Sequence, residues 1–502
     1  MITDYSRFKS GSDIRGYALG DETNPLYMSN EMVVRSTLGF VDYLKRKTGK
    51  SSFTISVGHD SRLSAERIKS AVIMALTGSQ IDVIDCGLCS TPAMFMTTVE
   101  LKCDGAVQIT ASHHPKDRNG LKFFTPDGGL DGSDIADILD FASKNIPFGC
   151  GGASVTKCDF MAQYSAILRN MIIEGVGAGE KPLEGMKIIV DAGNGVGGFY
   201  ATDVLAPLGA DIDGSLYLDP DGNFPNHAPN PENAEAMQCI TDATAKSGAD
   251  FGIIFDTDVD RSACVGKGGF SINRNRLVAL AAKVALEKNP GGTIVTDSVT
   301  SDGLAQFIKD NGGVHLRFKR GYRNVINKQL ELVANGISCP LAMETSGHAA
   351  FAENYFLDDG AYLITKLIIE AAALAKKGET LEDLISKLPE PVEEKELRFK
   401  ILCDNFKPEG EKIIAMFEKE AETHEGWKAA DDNNEGIRIN CADGNGWFLL
   451  RLSVHDPIIV LNSESNEQGG VMKMCKAVYD VISKAENIEL IDISALNNYL
   501  EA

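Results

Sequence analysis

The 502-residue sequence predicts an α/β protein of three similar α/β domains followed by a smaller α+β domain. Two observations predict it. β-Branched runs alternate with helical stretches, the signature of layered helices and mostly buried strands. The same layout also recurs three times, and each repeat closes on a strand that leads into a polar loop.

In the first repeat, Phe53 to Gly58 (FTISVG) reads as a strand, Ser64 to Leu76 as a helix and Ile81 to Asp85 as a second strand. Gly105 to Ile109 then leads into Thr110-Ala111-Ser112-His113-His114-Pro115. In the second repeat, Lys187 to Asp191 precedes a glycine turn, a helix near Tyr200 to Leu208 and a return near Asp211. It closes with Phe251 to Phe255, leading into Asp256-Thr257-Asp258-Val259-Asp260-Arg261. The third repeat runs through Thr293 to Thr296, a helix from Leu304 to Asn311, and Val314 to Phe318. Its last strand, Cys339 to Met343, leads into Glu344-Thr345-Ser346-Gly347-His348. Ligands gather outside the carboxyl ends of strands in such sheets, so all three loops are candidate sites.

The remainder departs from the repeat. Ala361 to Lys377 is a long Ala-rich amphipathic helix, and Pro389 and Pro391, among acidic residues, mark a linker. Leu397 to Cys403 alternates like a strand, and Glu411 to Thr423 reads as a helix. Gly436 to Asn440 and Gly446 to Leu452 form a hairpin, and Val471 to Lys484 is expected as the final helix. The expected domains are 1–155, 156–266, 267–385 and 386–502.

Composition excludes several classes. Apolar content of 43% and charged content of 24% are ordinary for a globular protein. A net charge of −22 argues against a nucleic-acid partner, whose phosphates need clustered Lys and Arg. No run of about 18 apolar residues exists, so no membrane span is expected. Met1 to Arg7 lacks a basic-then-apolar leader pattern. The eleven cysteines include one C-x-x-C, Cys86 and Cys89, with no second pair nearby for zinc. They read as free thiols of a cytoplasmic protein.

Each loop carries its own chemistry. Ser112 lies between small Ala111 and His113, which can shuttle protons near neutral pH, and Pro115 stiffens the exit. The Asn119-Gly120 turn presents Lys122, a base if its pKa is lowered. Three carboxylates at alternate positions suit a hard divalent cation such as Mg²⁺, because unneutralised they repel one another. An EF-hand loop would need Gly and Glu where Arg261 and Lys267 stand. Glu344 to His348 is a dense set of hydrogen-bonding groups suited to a polyhydroxylated ligand. Arg451-Leu452-Ser453 supplies a guanidinium and a hydroxyl suited to phosphate. Gly193-Asn194-Gly195-Val196-Gly197-Gly198 matches G-x-G-x-x-G after a strand, but that strand ends in Asp191 and no second mononucleotide half follows. It reads as a tight turn.

Together these loops resemble the α-D-phosphohexomutase family, which includes phosphoglucomutase and phosphomannomutase. Ser10 to Gly16 (SGSDIRG) is similar to its opening glycine-arginine motif, and Val57 to Arg62 resembles its first strand and turn. Thr110 to Pro115 matches the phosphoserine loop, with His114 where Asn is commoner. Asp219 to Pro231 resembles a stretch of the second domain, and Asp256 to Arg261 matches the Mg²⁺ loop, with Thr257 where Gly is usual. Glu344 to His348 matches the sugar-binding loop, followed by Asp358-Asp359-Gly360. The resemblance implies three similar mixed-sheet α/β domains and a smaller α+β C-terminal domain, arranged around a central cleft.

The implied activity interconverts hexose 1-phosphate and hexose 6-phosphate of glucose and/or mannose through a phosphoserine and a bisphosphosugar. It implies that Ser112 carries the phosphoryl group and that one Mg²⁺ per chain is held by Asp256, Asp258, Asp260 and the Ser112 phosphate. Arg15 and Arg261 add positive charge, and Lys122, helped by His113 or His348, is the implied acid and base. Glu344, Thr345 and Ser346 would bind sugar hydroxyls, together with the stretch Lys319, Gly321, Tyr322 and Arg323. Arg451 and Ser453 would grip the phosphate that is not reacting. Val454, His455 and Asp456 depart from the family's phosphate loop, with His455 replacing a threonine as donor. A bisphosphosugar activator such as glucose 1,6-bisphosphate, hexose phosphate partners and a monomer or homodimer are also implied. A glucosamine phosphate mutase, a metal-dependent sugar phosphatase and a non-catalytic sugar-phosphate sensor remain alternatives at this level.

Overall fold

A computed structural model describes residues 4–144, 149, 151–453 and 456–501. It divides into two compact units, Met1–Ala285 with Ser346–Ser386, and Leu286–Thr345 with Lys387–Ala502.

The first unit opens on a mixed sheet. Its strands follow the spatial order Lys9–Ser10, Asp13–Tyr17, Arg118–Thr125, Gly105–Ile109, Thr54–His59, Asp82–Leu88, Val155–Lys157. Thr54–His59 lies parallel to both Gly105–Ile109 and Asp82–Leu88, whereas Arg118–Thr125 runs antiparallel to Gly105–Ile109. The helix Asn30–Thr48 starts where the Ser29 side chain accepts the Met32 N–H and stops at Gly49, whose φ of 70° is left-handed. Its Phe40 stacks on Phe123 of the sheet with ring centroids 4.5 Å apart, inside a core that includes Ile55, Val57 and Val107. Strand Gly105–Ile109 is buried along its whole length and delivers the serine loop at its carboxyl end.

The same unit holds a second sheet. Ile188–Asp191 runs parallel to Phe251–Phe255, and Ser262–Gly266 returns antiparallel beside it. The helix expected near Tyr200 to Leu208 is instead a π-helical turn, Tyr200–Leu205, followed by a 3₁₀ turn, Ala206–Leu208. Pro207 has no N–H to continue an α-helical ladder. The expected return at Asp211 forms only isolated bridges, Lys187 with Asp211 and Asp191 with Leu216.

Helix Gly360–Ala375 also belongs to this unit. Asp359 caps it by accepting the Tyr362 N–H, and the Tyr164 hydroxyl lies 2.7 Å from both Asp359 oxygens. The Gly360 N–H donates to the Val259 carbonyl at 3.1 Å, which ties the helix start to the aspartate loop.

In the second unit, Thr293–Asp297 lies between parallel strands Val314–Phe318 and Leu341–Met343. The strand expected from Cys339 begins at Leu341, after Pro340, which cannot donate to a ladder. A six-stranded sheet follows, including the long antiparallel pair Glu393–Ile401 and Ile458–Ser465. The expected hairpin forms between Ile437–Cys441 and Gly446–Leu452. Gly470–Ile482 is not the final helix, because Ser494–Glu501 follows and buries Leu496 in the same core. Among the described residues, no helix is long and apolar enough to cross a membrane.

Candidate active site

In the first unit the serine loop and the aspartate loop meet. Ser112 Oγ donates to Asp256 Oδ2 at 2.9 Å and accepts from Arg261 Nη2 at 2.9 Å. Arg261 also bonds Asp256 Oδ2 through Nε and Nη2 at 3.1 and 2.9 Å. Ser112 and all three aspartates are buried. Both loops hold a left-handed, non-glycine residue at this point, Ser112 with φ of 51° and Val259 with φ of 68°. Such residues cost on the order of 1–3 kcal/mol, more readily borne where the surroundings fix them.

The surroundings fix Ser112 through a buried network. The Ser112 N–H donates to Thr110 Oγ1 at 2.8 Å, and the Thr110 hydroxyl donates to Asp60 Oδ2 at 2.7 Å. Asp60 pairs with Arg62, whose guanidinium also donates to the carbonyls of Ser112, His114, Pro115 and Arg118. Breaking a buried pair of this kind by removing one partner costs about 3–5 kcal/mol. Arg62 therefore positions the serine without touching its hydroxyl. Composition and periodicity give no hint of this role; the only pointer is the Val57 to Arg62 motif.

The acidic triplet has the donor set of a cation site. Carboxylate oxygens of Asp256, Asp258 and Asp260 lie within 4.8 Å of one another. Asp258 Oδ1 and Asp260 Oδ1 are buried without a hydrogen-bond partner. Buried carboxylate oxygens are costly without a partner or a metal ion, and an all-oxygen set suits a hard divalent cation. Gly195 lets the glycine turn close on this loop, since a Cβ there would stand 2.6 Å from the Thr257 carbonyl oxygen. The run forms a tight turn, in which the Gly195 N–H donates to the Ala192 carbonyl at 2.8 Å. Thr91, which carries no sequence signal, donates its hydroxyl to Asp258 Oδ2 at 2.5 Å from the first turn of helix Thr91–Glu100.

Lys122 Nζ lies 2.5 Å from Asp260 Oδ2 and 3.7 Å from Asp258 Oδ2. These contacts ion-pair Lys122 with the acidic cluster. His348 reaches the cluster because Gly347, with φ of 97°, lets the chain run against Ser262. Its Nδ1 lies 2.5 Å from Asp358 Oδ2 and 3.9 Å from Asp260 Oδ1. Burial opposes the charge on His348, but Asp358 and Asp260 outweigh it and push the pKa up to about 9. His113 differs from the expected shuttle. The Arg261 guanidinium, then burial and His114, hold it far below the usual histidine range, so it is neutral near pH 7. Arg15 bonds Asp13 at 2.7 Å and adds to the positive field at His113. Ser346 is buried in this unit as well.

The second unit gathers other predicted residues. Glu344 Oε1 accepts the Gly321 N–H at 2.5 Å, which fixes the carboxylate against the turn that starts helix Tyr322–Ala334. Thr345 bonds Asp297 through its N–H and hydroxyl at 3.2 and 3.0 Å, so its side chain faces the scaffold. Tyr322 and Arg323 are half-buried in the first turn of that helix, and Lys319 is exposed. Arg451 is buried, with Nε unpartnered, and burial followed by the charge of Arg320 lowers its pKa. The positive charges of Arg320 and Arg451 together favour an anion. Ser453 Oγ accepts the Asp456 N–H at 3.3 Å. Val454 and His455 lie outside the described residues.

A buried serine hydroxyl held between a carboxylate and a guanidinium, beside an acidic cluster and an ammonium on an α/β scaffold, is an arrangement suited to phosphoryl transfer. Comparison with known proteins agrees. Alpha/beta/alpha domains I, II and III of phosphoglucomutase/phosphomannomutase match residues 7–146, 168–269 and 273–392. A phosphomannomutase/phosphoglucomutase of Pseudomonas syringae pv. tomato is 31% identical over 82% of this chain and 83% of its own length. A phosphoglucomutase/phosphomannomutase of Thermococcus kodakarensis is 31% identical over 91% of this chain and 94% of its own. The crystal structure of a phosphoglucomutase/phosphomannomutase family protein from Burkholderia thailandensis superposes with a TM-score of 0.76 at 27% identity, covering 97% of this chain and 98% of that one. The chain belongs to the phosphoglucomutase/phosphomannomutase family and is an isomerase of the phosphohexomutase type.

Proposed function

We propose that this chain interconverts the 1- and 6-phosphates of glucose and/or mannose through a phosphoryl group carried on Ser112. The observation that carries this reading is the Ser112 hydroxyl, 2.9 Å from both Asp256 and Arg261. Mg²⁺, held by Asp256, Asp258, Asp260 and a Ser112 phosphate oxygen, would supply positive charge to the transferring group. In transfer, a sugar hydroxyl oxygen bonds to phosphorus while the bond to Ser112 Oγ breaks. The hydroxyl proton passes to the Lys122 amine, and the ammonium so formed returns one proton to the departing Ser112 Oγ, which is left as the hydroxyl. Arg261 follows Ser112 Oγ as negative charge grows there, and Arg15 adds to the same field. The resulting bisphosphosugar turns over, and its other phosphate returns to Ser112. Glu344 and Ser346 would hold sugar hydroxyls in both orientations, while Arg451 and Ser453 grip the idle phosphate. A bisphosphosugar such as glucose 1,6-bisphosphate would prime Ser112. Four domains, bounded near residues 155, 266 and 385, are proposed to divide these tasks. The ten described cysteines are free thiols, which supports a reducing compartment such as the cytoplasm.

A coupled assay with Mg²⁺ and a trace of bisphosphosugar tests this reading. Glucose 1-phosphate or mannose 1-phosphate is expected to give the 6-phosphate without release of inorganic phosphate. Turnover of glucosamine phosphate alone, or stoichiometric phosphate release, would contradict it.

A further inference from the structure

Outside the phosphoryl-transfer machinery, the second sheet carries a mixed set of metal-ligating side chains. Asp191 ends strand Ile188–Asp191, His227 lies on the loop before helix Ala234–Ser247, and Cys239 is on that helix. One donor atom from each lies within 4.8 Å of the other two. His227 Nε2 is 2.9 Å from Asp191 Oδ2, and both residues are buried. His227 Nδ1 faces the Ala228 carbonyl at 3.0 Å. A backbone acceptor at Nδ1 keeps a proton there, so that once Nε2 gives up the proton it shares with Asp191 its lone pair is free for a metal, the usual way a ligating histidine is oriented. The other Asp191 oxygen, Oδ1, accepts the Gly193 N–H at 2.9 Å, which holds the carboxylate in place. The Tyr217 hydroxyl stands 3.7 Å from Cys239 Sγ, and Cys239 is half-buried.

We propose that Asp191, His227 and Cys239 form a second metal site, selective for zinc-class cations over the hard cation of the acidic cluster. One sulfur, one imidazole nitrogen and one carboxylate oxygen are the donor types of a three-ligand zinc site with an open fourth position. Ligand atoms of a tetrahedral zinc site stand roughly 3.3–3.8 Å apart, within reach of this cluster after small side-chain shifts. On binding, the thiol proton and the proton between Nε2 and Asp191 pass to solvent, while Nδ1–H stays on Ala228. Affinity therefore rises with pH.

Cobalt(II), which reports sulfur ligation by colour, tests the site on the full metal-free chain. Titration is expected to raise one near-ultraviolet thiolate-to-cobalt band that saturates at one equivalent and is displaced by zinc. Cys239→Ala and His227→Gln are each expected to weaken binding about tenfold or more and to remove the band. Asp258→Asn, which alters the acidic cluster, is expected to leave it. Absence of the band, its persistence in Cys239→Ala, or its loss in Asp258→Asn would each overturn the proposal. Cys239→Ala keeps the test decisive even if His227→Gln misfolds, because the cysteine side chain supports no buried ion pair.

Discussion

Replacing Ser112 with alanine is expected to lower mutase turnover on the order of 10⁴-fold or more, with the fold intact. On the proposed route the substitution removes the atom that forms and breaks the bond to phosphorus, and no neighbouring group substitutes for a lost nucleophile. Its structural cost is small. The Ser112 N–H bond to Thr110 and the carbonyl bond to Arg62 are made by the backbone and survive. What changes is that Asp256 Oδ2 loses a donor while keeping Arg261. Thermal unfolding within a few degrees of the parent, with turnover lost in the coupled assay, is the expected pair of results.

Asp258→Asn is the second. Turnover is expected to fall about 10²–10³-fold, the usual loss when one preorganised charge is taken from the place where transition-state charge develops. Stability should move the other way in metal-free protein. Three buried carboxylates at short range repel one another, and removing one charge relieves that repulsion while the amide oxygen still accepts from Thr91. The metal-free variant is expected to unfold about 1–3 °C above the metal-free parent, a shift suited to about 1 kcal/mol in a chain of this size. Added Mg²⁺ should stabilise the parent and leave the variant nearly unchanged, because ligand binding to the folded state is what raises the parent's transition. An equal response of both proteins to Mg²⁺ would remove Asp258 from the metal site.

The strands were the most legible part of the fold. Gly105–Ile109, Phe251–Phe255 and Thr293–Asp297 stand where their apolar or β-branched runs place them, because a buried strand needs little beyond such a run. Helix ends were less legible. The helices expected at Ser64–Leu76 and Leu304–Asn311 run Ala65–Gly78 and Asp302–Asp310, the second starting where Ser301 accepts the Leu304 N–H, and the stretch from Tyr200 forms a π-helical turn to Leu205 and then a 3₁₀ turn through Pro207. Those outcomes depend on local hydrogen bonding that periodicity does not encode.

The site divides in the same way. Ser112 and the aspartates were readable because their residue types follow apolar strands. Arg62 and Thr91 were not, because their roles depend on which loop carbonyl or carboxylate the fold brings beside them. The neutrality of His113 was also hidden, since it comes from a guanidinium far along the chain.

One measurement bears most directly on the phosphoserine route. The enzyme is incubated with bisphosphosugar carrying labelled phosphate, quenched, digested and mapped by mass spectrometry, and a second sample is chased with unlabelled hexose phosphate before quenching. Label on Ser112 that moves to sugar during the chase is the expected result. A fully active enzyme whose Ser112 never carries label, or whose label does not leave during turnover, would contradict it.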